Sequence, residues 1–369
     1  MPLLDQYVLR KFAIPFLYSL MGFIAIWFVW NLSVNLPDFL QGHLTLGLLL
    51  HFYGTQIPNV IVQSIPVGEL LALLYAMTQM SRSNEIISML CAGRSLERIL
   101  LPFFCVGLLL VVLSTYLNYQ QAPQAEAIKN QLMEEIKNGK KNRTIIGNHL
   151  FRNRADHRTW YLQSLDVAHQ SAHEVQIIQQ NEQGDLLEEW YALDAHFDPA
   201  THAWRLEQMH HVTIDPRGGN ILTFDASPHF EITNWSESPW RIASSTMNPD
   251  YLSVPELRDY LKNNSDFTKP RLAPFKTHLD YRWALPWTCF IVILLAAPCS
   301  LIYSRRSILS GVALAVGFFV ALLFSSNLFL ALGKGYRSPA WVAAWGPMIL
   351  FAAIGVFLLR RKSSGRDLW

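Results

Sequence analysis

The chain has 369 residues, 51% of them apolar and 16% charged, with a net charge of +2. It has no basic run interleaved with aromatics, which excludes a recognisable nucleic-acid-binding surface. Apolar residues concentrate at 12–120 and 283–360, whereas 121–280 reads as soluble material, so a membrane unit with one soluble insertion is expected. The cysteines are Cys91, Cys105, Cys289 and Cys299; none falls in the insertion, which must fold without disulfides.

A hydrocarbon core of about 30 Å needs roughly 20 apolar residues as helix. Segments 12–35, 53–80, 99–120, 283–303, 308–332 and 340–360 meet that length, giving six predicted transmembrane helices. The first follows Arg10 and Lys11 but is too long for a signal peptide, and reads as an uncleaved span. Arg10, Lys11, Arg82, Arg94, Arg98, Arg305, Arg306, Arg360, Arg361, Lys362 and Arg366 fall on one side. The short loops of the other side carry only Lys334 and Arg337. Positive charge stays in the cytosol, so both termini are expected there and the insertion outside, in the periplasm of a bacterial inner membrane. The expected domains are 1–120 with spans one to three, 121–280 as the external domain, and 281–369 with spans four to six.

Between spans two and three, residues 83–93 are too polar for lipid and too apolar for an ordinary loop. Ser83 is a candidate cap, Glu85 suits the first turn of a short helix, and Gly93 suits its end. Ile86, Ile87, Met89 and Leu90 supply apolar surface. One reading is a docking helix for a cytosolic motor; the other is an interfacial helix lying on lipid.

The external domain is expected to open with a helix over 121–143 that continues span three. Short β-branched or aromatic runs follow at 159–162, 174–178, 189–193, 203–206 and 211–214, with turn signals at 181–185, 198–201 and 215–219. Such spacing predicts an all-β sandwich or open barrel. Ser253 and Glu256 have capping-box spacing ahead of a short helix through Leu257, Tyr260 and Leu261.

Within the spans, Glu69 stands out, because a carboxylate at that depth is costly unless protonated, paired or wet. Asn31, Gln63 and Asn327 are polar but do not titrate, so no proton relay is apparent and Glu69 reads as structural. His169 and His173 on one strand would sit about 13 Å apart, and no metal motif, nucleophile elbow or P-loop is present, so no metal and no catalytic residue is assigned. Any energy must then enter from another chain.

Several segments resemble the LptF/LptG permease family of the bacterial lipopolysaccharide exporter. The start, Leu4-Asp5-Gln6-Tyr7, is similar to that family's amino-terminal pattern. Ile65-Pro66 through Ser83-Asn84-Glu85 to Ala92-Gly93 resembles its second span and coupling helix. Ala195-His196-Phe197-Asp198-Pro199 with Trp204-Arg205-Leu206 is similar to a strand pair of its periplasmic domain and leans toward LptG. Ser338-Pro339-Ala340 with Ala344-Trp345-Gly346-Pro347 is similar to its last span. The resemblance implies a β-jellyroll-like periplasmic domain, a heterodimer with a second permease of this type, a cytosolic ABC ATPase dimer that holds ATP and magnesium, and a periplasmic jellyroll bridge protein. The chain itself is then no enzyme and needs no cofactor; it extracts lipopolysaccharide from the inner membrane. ATPase coupling falls to Ser83, Glu85, Ile86, Met89, Leu90 and Gly93. LptG-like chains often carry lysines at the outer end of span one, but residues 31–38 have none, leaving Lys334 and Arg337 as candidate contacts for lipid phosphate. Glu69 and Asn31 remain intramembrane polar residues without a family role. A membrane-anchored periplasmic sensor or ligand-binding protein is the alternative.

Overall fold

A computed structural model describes residues 3–41, 46–138, 145–216, 220–233, 235–244, 247–300 and 308–364. Arg217, Arg305, Arg306, Arg366 and the end of the fourth predicted span lie outside the described residues. The chain divides into two compact units, one of Met1–Gly139, Pro249–Arg258 and Lys269–Trp369, the other of Lys140–Asn248 and Asp259–Thr268.

The first unit is helical. It holds α1 (Leu3–Gln41), α2 (Leu46–Arg82), a short α3 (Glu85–Cys91) and α4 (Leu96–Tyr116), which runs through a π turn (Leu117–Gln121) into α5 (Ala122–Asn138). Later in the chain α8 (Lys269–Ala284), α9 (Trp287–Ser300), α10 (Ile308–Lys334) and α11 (Ala340–Ser363) complete the bundle. Five of these helices are long and apolar enough to cross a membrane, and six spans result if α8 and α9 are taken as one. The fourth predicted span is therefore not one straight helix. It bends by 53° between α8 and α9, where Pro286 lacks an amide hydrogen and crowds the preceding turn.

The sequence of α9, apolar on every side, dictates its place. Ile291 through Ser300 are all buried, so α9 is the axis on which α2, α4, α10 and α11 pack. Close approach is built in at Gly355 of α11, where a Cβ would lie 2.7 Å from Leu294 Cγ. By contrast α1 and α10 are the least covered spans, 6% and 22% of their apolar windows being buried. They expose Leu17, Met21, Trp30, Val320, Phe324 and Leu328.

The second unit is a six-stranded antiparallel sheet whose strands are hydrogen-bonded in chain order: β1 (Ile145–Asn153), β2 (Arg158–Asp166), β3 (Ser171–Gln180), β4 (Leu186–Asp198), β5 (Ala203–Ile214) and β6 (Ile221–Ile232). An inserted all-β domain is what the sequence predicts. Two details differ. The runs at 203–206 and 211–214 are one strand, paired with β6 from Trp204 to Ile214; they read as two because Gln208 at φ 50° shifts the alternation, with Trp204 and Leu206 buried before it and Met209 after it. β1 and β6 have no counterpart among the predicted runs. β6 is exposed over nearly its whole length, which leaves no buried alternation to read, and β1 contains Gly147 and the left-handed Asn148.

The sheet is strongly curled. Trp160 on β2 and Trp204 on β5 have ring centroids 5.1 Å apart, whereas three strand spacings on a flat sheet would separate them by about 14 Å. Trp235 packs edge-on against Trp160 at 5.5 Å and Trp190 at 5.4 Å. Arg158 stacks on Trp235 at 4.7 Å and donates to the fully buried Glu237 at 3.0 Å. One end of the curl is thus filled by indoles and sealed by an ion pair. A short helix, α6 (Pro239–Ser244), follows. Next in the chain is α7 (Val254–Asn263), whose capping box forms as predicted: Ser253 N donates to Glu256 Oε2 at 2.7 Å and Glu256 N faces Ser253 Oγ at 3.5 Å.

Candidate functional site

The segment between α2 and α4 folds as the seven-residue helix α3. Ser83 does not cap it. α2 runs to Arg82, so Ser83 completes α2's last turn, its hydroxyl 2.9 Å from the Gln79 carbonyl and 2.9 Å from Glu85 Oε1. Asn84 takes the cap position at φ 57° without a side-chain hydrogen bond. Gly93, at φ 82°, ends the helix in a Schellman arrangement: Gly93 N donates to the Leu90 carbonyl and Arg94 N to the Met89 carbonyl.

Burial divides the six residues assigned to this site. Ile86 and Met89 are three apart and face inward, joining the core with Leu96, Ile99 and Leu100. The sequence offers them as apolar docking surface, but their side chains are buried in the bundle core. The exposed side is made of Ile87, Ser88, Cys91 and Ala92, with Leu90 half-buried. Ile87 and Cys91, four apart, form an exposed apolar strip.

Ionic contacts from the start of α1 hold this corner. The nearly buried Asp5 accepts from Arg94 at 3.5 Å and Arg98 at 3.3 Å. Lys11 Nζ lies 4.0 Å from Glu85 Oε1, while Glu85 Oε2 has no hydrogen-bond partner among the described residues. In the sequence Lys11, Arg94 and Arg98 read as topology signals and Asp5 only as part of the amino-terminal pattern; the ionic cluster they form was not assigned. The signal available was a lone acid in the first turn of a basic segment.

At the opposite end of the bundle, Lys334 and Arg337 are not equivalent. Lys334 donates to Asp250 Oδ1 at 2.9 Å, and His278 Nε2 lies 2.7 Å from the same oxygen. Arg282 donates to the Asp250 carbonyl at 2.6 Å and to Asn118 Oδ1, on the π turn, at 3.2 Å. Burial raises the Asp250 carboxyl, but the Lys334 hydrogen bond and the nearby cationic groups outweigh it and hold the group below its usual 3.8. Arg337 is exposed and makes no ion pair among the described residues.

Glu69 is fully buried and neither oxygen has a hydrogen-bond partner among the described residues; Oε1 faces Gly107 of α4. Asn31 is buried in α1 and accepts from Asn35 one turn on, at 3.0 Å through its side chain and 2.8 Å through its carbonyl. In the β domain His169 pairs with Asp166 and His173 with Asp194, so the two histidines do not converge.

No individual curated protein matches the sequence. The sequence profile of the family described as lipopolysaccharide export system permease LptF/LptG matches residues 6–361. That profile is shared by LptF and LptG and does not separate them. The match runs from the first turn of α1 through the α3 corner and the β domain to the last turns of α11, and on that coverage the chain belongs to the LptF/LptG family of lipopolysaccharide export permeases.

Proposed function

We propose that this chain is one permease half of an ABC-type exporter, with α3 as the helix that receives movement from a cytosolic ATPase dimer. The observation that carries this reading is the construction of the α3 corner. A seven-residue helix is anchored by Ile86 and Met89, is followed at once by Arg94, which Asp5 of α1 holds, and presents Ile87 and Cys91 outward. A short rigid element with an apolar outer strip suits transmission of force. ATP and magnesium belong to the partner.

The clustering of Arg10, Lys11, Arg82, Arg94, Arg98 and Arg360 at the α3 end supports a cytosolic location for that end and for both termini, with the β domain periplasmic. The open faces of α1 and α10 suit a second permease of this type and a lipid cavity between the two. β6 is a twelve-residue edge strand, and strand addition there by a periplasmic jellyroll bridge would continue the sheet. Arg337, and Lys334 once Asp250 is displaced, would meet lipid phosphates. Assignment to LptG rather than LptF rests on residues 197–206 alone.

The test is co-purification of the full chain with its membrane and soluble partners. Ile87→Asp should release the ATPase and retain the second permease. Retention of the ATPase by Ile87→Asp, or isolation of wild-type chain with neither partner, would overturn the reading.

A further inference from the structure

We propose that a cleft at the foot of α1 and α2 binds the phosphate of an anionic glycerophospholipid of the cytosolic leaflet. The cleft has a volume of about 360 Å³. From α1 it takes Tyr7, Arg10, Lys11 and the apolar pair Ile14 and Pro15; from α2 it takes Tyr75 and Gln79.

Its polar groups are nearly all unused. The side chains of Arg10, Tyr75 and Gln79 make no hydrogen bond or ion pair among the described residues. Lys11 Nζ stands 5.4 Å from the Tyr7 ring centroid and 4.0 Å from Glu85 Oε1, at the outer limit of an ion pair. Two cations, two phenols and an amide therefore converge on one small space, where among the described residues Lys11 alone has partners, both at long range. A guanidinium offers paired donors that match two phosphate oxygens, and an ammonium beside it adds a point charge.

Depth selects a membrane lipid as the source of that phosphate. Arg10 and Lys11 immediately precede the apolar run of α1, which is the headgroup level of the membrane. Ile14 and Pro15, one turn further in, lie where acyl chains begin, and Tyr7 and Tyr75 are the aromatic type that settles at this boundary. The paired cations favour a headgroup with net negative charge, because a choline or ethanolamine would bring a third cation to the same space. This site is distinct from that of the exported lipid and shares with α3 only the long Lys11–Glu85 contact.

Lipid retention can be counted by native mass spectrometry of the full chain from nanodiscs of phosphatidylcholine with a minor share of phosphatidylglycerol, with and without the partner permease. The wild type should retain phosphatidylglycerol above its share. Arg10→Gln should cut that enrichment about fivefold, and Tyr75→Phe should cut it less. Thermal midpoints would identify any variant that fails to fold, and Tyr75→Phe removes only a hydroxyl. Equal retention by wild type, Arg10→Gln and Tyr75→Phe would overturn the proposal. So would equal retention of phosphatidylcholine, or displacement of the lipid by millimolar inorganic phosphate, which would point to a free anion. Loss of the bound lipid when the second permease is present would assign the cleft to the permease interface instead. None of these outcomes depends on whether α3 couples to an ATPase.

Discussion

Replacing Glu85 separates two roles that its position alone leaves entangled. Inside the chain its carboxylate has little to lose. The Lys11 contact is 4.0 Å long between side chains about a quarter exposed, the kind of pair worth about 0–1 kcal/mol. Its place in the first turn of α3 adds about 0.3–1 kcal/mol through the helix dipole. Among the described residues Oε2 has no donor, and the Ser83 hydroxyl, 2.9 Å from Oε1, has the Gln79 carbonyl as an alternative acceptor at 2.9 Å, so its loss adds little. Glu85→Ala should therefore cost the folded chain less than about 2 kcal/mol, a fall of several degrees in melting temperature at most. If the carboxylate meets a cation in the groove of an ATPase, truncation removes a charge pair at an interface, at a cost of about 2–5 kcal/mol. At about 1.4 kcal/mol per decade, that is a loss of roughly 30-fold or more in affinity. The two quantities are read separately, by intrinsic tryptophan fluorescence on heating and by titration of purified ATPase against the detergent-solubilised permease. Glu85→Gln keeps an acceptor for Ser83 and removes only the charge, so it should reproduce most of the binding loss. Unchanged affinity in both variants would refute the role of Glu85 as a direct contact. A large fall in melting temperature that tracked the affinity would reassign Glu85 to holding α3 in place.

Three further outcomes follow from the packing. Arg158→Ala strands the fully buried Glu237 without its guanidinium and removes the stack on Trp235; a loss of about 3–5 kcal/mol is expected, seen as early unfolding of the β domain in limited proteolysis of the full chain. Gly355→Ala drives a methyl to within 2.7 Å of Leu294 Cγ and should cost about 1–3 kcal/mol, whereas Gly317→Ala, with no atom within 4 Å, should leave the melting temperature unchanged or slightly raised. Acid should weaken the fold through Asp156 and Asp250. Burial raises both carboxyls, but Ser236 and Arg158 around Asp156, and Lys334 and its neighbours around Asp250, bring them below the ordinary 3.8. Each group then binds its proton more readily in the unfolded chain, so its contribution is complete above about pH 4 and is lost as pH falls through the folded value. Asp156→Asn should flatten that acid limb in a melting-temperature series from pH 6 to pH 3.

Hydropathy alone reveals the membrane helices because lipid demands a long apolar run whatever the neighbours are. It does not reveal which run becomes the axis. α9 and α10 are similarly apolar, yet α9 is buried on all sides and α10 mostly exposed. The difference lies in what the other helices turn toward them, which no local pattern records. Strands were legible where one face is buried, as in β2, β3 and β4. They were invisible where both faces are wet, as in β6, or where a left-handed residue interrupts the alternation, as at Gln208. The α3 corner was found for a sound reason, the wrong polarity for either lipid or loop. Its inner and outer faces were not separable, because Ile86, Ile87, Met89 and Leu90 are chemically alike and only the packing of Leu96 and Ile99 beneath decides which of them is covered.

Charge counting met the same limit at the other end of the bundle. With no lysine near the end of span one, Lys334 and Arg337 were the cations left for a phosphate. Folding delivers a competitor that sequence distance hides: Asp250, 84 residues from Lys334, takes the ammonium at 2.9 Å with His278 on the same oxygen. A phosphate reaching Lys334 must therefore displace a carboxylate of similar charge, while Arg337 is available at once. Arrival at Lys334 would then free Asp250 and the loop that carries it. Removing that competitor, as in Asp250→Ala, should raise the affinity of this end for an anionic lipid and, at the same time, loosen the loop whose carbonyl oxygens Arg282 holds. A binding site of this kind exchanges one anion for another, and lysine counts along a span cannot show the exchange because they record only the cation.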